Sequence, residues 1–85
     1  MLEYEVTFSN YEQTQMVETN CNSIQFVNLG TNDVFINQTA MLIGGQTLNI
    51  DGNYNEICRT RFVITFGTGG FSRCLVIKKT YNKNN

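Results

Sequence analysis

The sequence predicts an all-β chain: a small antiparallel β-sandwich or partly open barrel, built as a meander of about 6–7 short strands. Three observations carry this. Residues 24–53 hold short strand-compatible runs separated by Gly, Asn and Asp, the residues that accept turn conformations. Residues 2–9 alternate strictly, Leu2, Tyr4, Val6 and Phe8 against Glu3, Glu5, Thr7 and Ser9, the period of a strand with one apolar face. Residues 62–66 and 74–77 are near-continuous apolar runs on either side of Gly67-Thr68-Gly69-Gly70.

The first element, residues 2–9, reads as a half-buried strand with its even-numbered side chains in the core. Residues 11–20 are polar apart from Tyr11, Met16 and Val17, and fit a loop, a second edge strand or a short helix equally. Residues 24–29 form the next strand, with Ile24 and Phe26 on one face and Val27 and Leu29 on the other. Gly30-Thr31-Asn32-Asp33 supplies residues that tolerate positive φ, as a hairpin turn requires, and leads into the strand 34–36. Residues 41–43 continue the meander or bridge to the next strand. Gly44-Gly45 then breaks the chain before 47–50, and Asp51-Gly52-Asn53 is a further turn.

The hydrophobic centre is the pair 62–66 and 74–77. A five-residue link ending at Phe71 places Ile64 opposite Cys74 and Phe62 opposite Val76. A link one residue shorter opposes Ile64 with Arg73, a charge on an apolar face, so the longer register is preferred. Both strands are apolar on both faces, which predicts a cover on the second face, either residues 11–20 or a neighbouring subunit. Residues 81–85 read as a frayed tail.

The 85 residues make one domain, 1–85. A chain of this length buries only about 60–65% of its unfolded surface, so association with a copy or a larger partner would add stability. Apolar residues at 41% and charged residues at 15% exclude a disordered tail. The chain has no His, which removes the usual general base, metal ligand and pH switch together. No Ser or Cys has a visible base partner. No catalytic, metal-binding or cofactor-binding residue is therefore expected, and the chain does not read as an enzyme. Cys21, Cys58 and Cys74 are an odd number without metal-type spacing and read as reduced, small apolar fillers. The N-terminus lacks the pattern of a secretion signal, and no apolar run is long enough for a membrane span.

Net charge is −1, but the seven acidic residues lie between Glu3 and Glu56 and the six basic ones between Arg59 and Lys83. Three arrangements fit this split: the N-terminal and C-terminal strands lie together in one fold, the basic end of one subunit meets the acidic end of the next, or the basic end meets nucleic acid.

Four clusters invite a ligand and each has a plainer reading. Asp51, Asn53, Asn55 and Glu56 resemble the start of a calcium loop, but the glycine and the bidentate acid such a loop requires are replaced by Glu56 and Phe62. Residues 67–70 lack the following helix that a phosphate loop needs, and fit a hairpin tip. Phe66, Phe71, Arg61 and Arg73 suggest a nucleic-acid platform, which the net charge and acidic N-terminal half disfavour. Tyr4, Tyr11, Tyr54 and Tyr81 could stack on sugars, but packing in a core or an interface is the better default.

Val27-Asn28-Leu29-Gly30-Thr31-Asn32-Asp33-Val34-Phe35-Ile36-Asn37, followed by Gly45-Gln46-Thr47-Leu48-Asn49-Ile50-Asp51-Gly52, resembles a pattern in small β-sandwich virion proteins of tailed bacteriophages. These are capsid decoration or auxiliary proteins and the capsid-anchoring parts of head fibres, including those of crAss-like phages. That family carries Asn-x-Gly-x-x-x-Val-x-Ile-Asn and then Pro-Gly-x-x-Leu; here Gly44-Gly45 stands where Pro-Gly is usual. The resemblance covers about a third of the chain. It implies a non-enzymatic, many-copy virion protein, made in the host cytoplasm, that stabilises contacts between larger subunits such as a major capsid protein and is itself a homo-oligomer. The residues expected to meet partners are Asn32 and Asp33, Asn53, Tyr54 and Asn55, Thr68, and the basic set Arg59, Arg61, Arg73, Lys78 and Lys79. Two other classes compete: a glycan- or calcium-dependent surface-binding module, and a small nucleic-acid-binding barrel.

Overall fold

Alternating runs such as residues 2–9 and β-branched or aromatic apolar runs such as residues 34–36 and 62–66 become eight strands, which the computed structural model describes over residues 2–82: β1 Glu3–Tyr11, β2 Gln15–Val17, β3 Ser23–Asn28, β4 Val34–Ile36, β5 Ala40–Leu42, β6 Thr47–Ile50, β7 Phe62–Phe66 and β8 Cys74–Asn82. They form two antiparallel four-stranded sheets, sheet 1 in the order β1-β8-β3-β6 and sheet 2 in the order β2-β7-β4-β5. The architecture is the predicted all-β sandwich, not closed into a barrel.

The expected meander is corrected. Of the seven links between consecutive strands, β4–β5 alone stays within a sheet; the other six pass from one sheet to the other. The β4–β5 hairpin turns through Asn37 (φ 53°) and Gln38 (φ 56°), closed by Thr39 N–H to the Ile36 carbonyl at 3.1 Å. Two consecutive positive φ values are the twist that a tight hairpin needs. Residues 30–33, where the sequence suggested that geometry, have no positive φ and cross between sheets.

The register proposed for β7 and β8 is corrected for the same reason. β7 pairs with β2 and β4, and β8 pairs with β1 and β3. Ile64, Phe62, Cys74 and Val76 do share one apolar cluster, but they enter it from opposite sheets. Residues 67–73 are held by the other crossover instead. The Phe71 carbonyl accepts from Thr31 and Asn32 N–H at 2.9 and 3.0 Å, and the Arg73 carbonyl accepts from Leu29 N–H at 3.0 Å. Gly30 permits this approach, because a Cβ there would collide with the Phe71 carbonyl.

Sheet 1 supplies Ile24, Phe26, Cys74 and Val76 to the core, and sheet 2 supplies Val17, Val34, Ile36, Leu42, Phe62 and Ile64. Phe26 and Phe62 meet edge to face across the sheets, with centroids 5.2 Å apart. The open reading of residues 11–20 resolves to the last residue of β1, Tyr11, then a link and a short edge strand, β2, whose Val17 enters the core. The frayed-tail expectation is corrected for Tyr81 and Asn82, which pair with Tyr4 and Glu3; the rest of that tail lies outside the described residues.

Sheet 1 overhangs sheet 2. β1 and β8 have nine residues each, whereas the strands of sheet 2 have three to five, and the fold extends over 50 × 18 × 17 Å.

Two buried asparagines tie the links to the sheets. Asn28 donates its amide to the carbonyls of Asn32 and Leu42, both at 2.8 Å, and accepts from Gly30 N–H at 2.9 Å. Asn22 donates to the carbonyls of Asn53, Tyr54 and Glu56 and accepts from Tyr81 N–H at 2.7 Å. Asn28→Ala removes three bonds from buried groups and is expected to cost about 2–4 kcal/mol, since each stranded polar group costs about 1–3 kcal/mol. Urea titration of the variant against the parent measures it.

Candidate interaction surface

The inward row of sheet 1 is fixed by Ile24 and Phe26 on β3 and Cys74 and Val76 on β8. Strand registers then place every other row. Tyr11, Ser9, Thr7 and Glu5 of β1 share the inward side, opposite Cys74, Val76, Lys78 and Thr80. Tyr4, Val6, Phe8 and Asn10 face outward, opposite Tyr81, Lys79, Ile77 and Leu75. Val27, Gln25 and Ser23 of β3 and Thr47 and Asn49 of β6 complete the outer face.

The expected burial of the β1 apolar row is thereby corrected. Leu2, Tyr4, Val6 and Phe8 are exposed, Phe8 at 66%. The odd-numbered side, not the even, faces sheet 2, and the short strands of sheet 2 leave residues 3–8 in solvent on both sides. A block of Tyr4, Val6, Phe8, Leu75, Ile77 and Val27 thus lies on the outside of sheet 1. Residues 11–20, the proposed cover, run to sheet 2 and leave this face open.

Lys79 is the one charged side chain within the strands of this face. Its Nζ lies 4.4 Å from the Tyr4 ring centroid and 4.8 Å from that of Tyr81, and the two rings meet edge to face at 5.8 Å. The Tyr81 hydroxyl beside it holds the ammonium above the usual lysine pKa. The outer face of sheet 2 is smaller and carries half-buried Phe35 and Val63 flanked by exposed Met16 and Met41.

The residues singled out from sequence fall into three groups. At one end, Asp33 and Thr68 line a shallow depression between residues 31–33 and 67–70, and Arg73 reaches Asn10 with Nε 3.4 Å from Oδ1. At the other end, Asn53, Tyr54 and Asn55 form an exposed loop, and Arg59 and Arg61 border Glu18, Thr19 and Asn20. Lys78 and Lys79 sit on opposite faces of β8; the Lys78 ammonium donates to the Glu18 carbonyl. Asn32 is corrected from a partner residue to a structural one: it is buried, donating to Ser72 Oγ at 2.8 Å and accepting from Gly70 N–H at 2.7 Å. Arg61 and Arg73 stand at opposite ends, so the suggested aromatic–cation platform is not assembled. Among the described residues no group of three or more His, Cys, Asp or Glu side chains converges. The one salt bridge among them, Arg61 to Glu18 at 3.9 Å, is largely exposed and adds little. No helix among them is long and apolar enough to cross a membrane.

The thiols are packing groups. Cys21 and Cys74 are buried and Cys58 is half-buried beside Cys21. Burial pushes the Cys74 thiol up to about 11, and burial, followed by the nearby Cys58, also raises Cys21. Both are poor nucleophiles in that state.

Sequence reasoning missed Tyr4, Val6, Phe8 and Ile77 as surface residues. The available signal was length: the alternation of β1 runs further than the strands that could cover it. Comparison with family models, curated proteins and solved structures finds no match.

Phe8→Ser is expected to leave the unfolding free energy within about 0.5 kcal/mol, whereas Phe26→Ala costs about 3–5 kcal/mol; urea titration separates the two. Because its folded pKa is raised from the usual 9.0, the Cys74 thiol contributes stability that is present below pH 9 and lost as pH rises through about 11. Denaturation midpoints are therefore expected to fall across that window, and less so in a Cys74→Ala variant.

Proposed function

We propose that this chain is a non-enzymatic virion structural protein, a capsid decoration or auxiliary protein or a head-fibre component, that stabilises contacts between larger subunits such as a major capsid protein. The observation that carries the assembly role is the uncovered apolar block on sheet 1: Tyr4, Val6, Phe8, Leu75 and Ile77, rimmed by Ser23, Gln25, Thr47 and Asn49. A contiguous apolar centre with a polar rim and few charges is the composition of a protein–protein contact. The Met16 and Met41 flanks of sheet 2 offer a second, adaptable surface.

The virion assignment draws on the pattern at residues 27–37 and 45–52. Its two halves are physically one unit: Asn28 N–H donates to the Gln46 carbonyl at 3.0 Å, and Gly45 N–H donates to the Asn28 carbonyl at 2.9 Å. Gly45 takes φ 86°, the left-handed geometry that the second glycine of the pattern permits. The Asn-x-Gly of the pattern is the Asn28 amide and the close approach at Gly30.

In gradient-purified particles of the virus that encodes it, the chain is expected in copy number proportional to the capsid protein, by quantitative mass spectrometry. Its absence from the particles overturns the reading.

A further inference from the structure

We propose that β1 pairs edge to edge with β1 of a second copy, antiparallel, with Val6 on the two-fold axis, joining two copies of sheet 1 into one eight-stranded sheet. This goes beyond the particle role, because it uses the backbone edge of β1 and leaves the outer face free.

The four sheet edges are β1, β6, β2 and β5. β2 and β5 have three residues and β6 has four, too short to template another strand. β1 has nine, contains no Pro and no Lys, and is exposed along most of its length. Such an edge pairs with another chain unless its side chains oppose it. The side chains that could oppose it are Glu3 and Glu5, on the inward row.

Register decides whether they do. Keeping the outward rows of both copies on one side allows only registers that set even residues opposite even. Centring on Glu5 sets it against its own copy, which is repulsive. Centring on Thr7 sets Tyr4 against Asn10. Centring on Val6 sets Tyr4 against Phe8, Val6 against Val6 and Phe8 against Tyr4, three apolar pairs on the outer side.

The inward side then becomes charge-complementary. Glu3 of one copy meets Ser9 of the other, and Glu5 meets Thr7. Thr7 already pairs with Lys78 in its own chain. The row therefore reads Glu5 of one copy, then Thr7 and Lys78 of the other, with the charged residues two strand spacings apart, about 9.6 Å. Their long side chains meet over the short threonine. Within the chain neither has an oppositely charged partner: Glu5 stands opposite Thr80 and accepts from the Asn82 amide at 3.4 Å, and the Lys78 ammonium donates to the Glu18 carbonyl, an exposed contact it would exchange for the carboxylate. The contact is isologous, so each feature occurs twice.

Sedimentation velocity at micromolar concentration is expected to give twice the chain mass of 9.7 kDa. Val6→Lys sets two cations face to face and is expected to weaken association about tenfold or more. Glu5→Lys weakens it, and Glu5→Lys combined with Lys78→Glu restores it. Thermal melts establish that each variant is folded. For the unsubstituted protein, hydrogen exchange of β1 amides is expected to slow as concentration rises, which tests the edge without any substitution. A monomer at all concentrations, a Val6→Lys dimer, or indifference to Glu5→Lys overturns the proposal. Indifference to Glu5→Lys with sensitivity to Val6→Lys means the copies stack through the outer face instead. A monomer that still enters particles sinks this pairing and leaves the structural role standing.

Discussion

Six strand-to-strand links cross between two sheets that lie about 10 Å apart, and each crossing takes backbone out of the hydrogen-bonded ladders beside the core. The N–H and C=O groups on those links must find partners or cost about 1–3 kcal/mol each. In a fold whose whole stability is of the order of 5–15 kcal/mol, a few failures suffice to unfold it. Asn22 and Asn28 meet this need at the two ends of β3. Asn22 holds residues 53–56 and the Tyr81 N–H, and Asn28 holds residues 30–32 and the Leu42 carbonyl. β3 is the strand that pairs with both β8 and β6, so these two amides tie the middle of sheet 1 to the β3–β4 and β6–β7 crossings and to the end of β5.

Side-chain parity was legible in the sequence and pairing partners were not. Ile24 with Phe26, Phe62 with Ile64 and Cys74 with Val76 each share a face as their spacing of two requires. Parity says which residues point to one side of a strand. It carries no information on which other strand lies beside it. A glycine-rich link such as residues 67–70 fits a hairpin tip and a sheet crossing equally well. The crossing is chosen here by bonds to residues 29–32, some forty positions away in the chain, which no local pattern records.

The buried asparagines show the same limit from the other side. By propensity Asn belongs in turns, and Asn32 at a Gly-Thr-Asn-Asp corner reads as an exposed turn residue. It is at a turn, but its amide faces inward because two links converge on it. Asn28 left a clearer trace: it shares parity with Ile24 and Phe26, which places it on the core side of β3. A polar residue on a core row implies backbone to satisfy. That implication identifies a structural amide before any coordinates exist.

The unequal lengths of the sheets connect the fold to its surface. Strands of three to five residues in sheet 2 cannot shield nine-residue strands in sheet 1, so the outer halves of β1 and β8 project as a ribbon. A ribbon wet on both sides gains from its apolar residues only cross-strand contacts such as Tyr4 against Tyr81 and Phe8 against Ile77, and β1 places Tyr4, Val6 and Phe8 in one row and its carboxylates in the other. Segregation of this kind is what a strand needs if one row is later covered by protein and the other must match a cation. The sorted rows, the long open edge and the short strands at the other three edges are the features on which the proposed pairing through β1 rests.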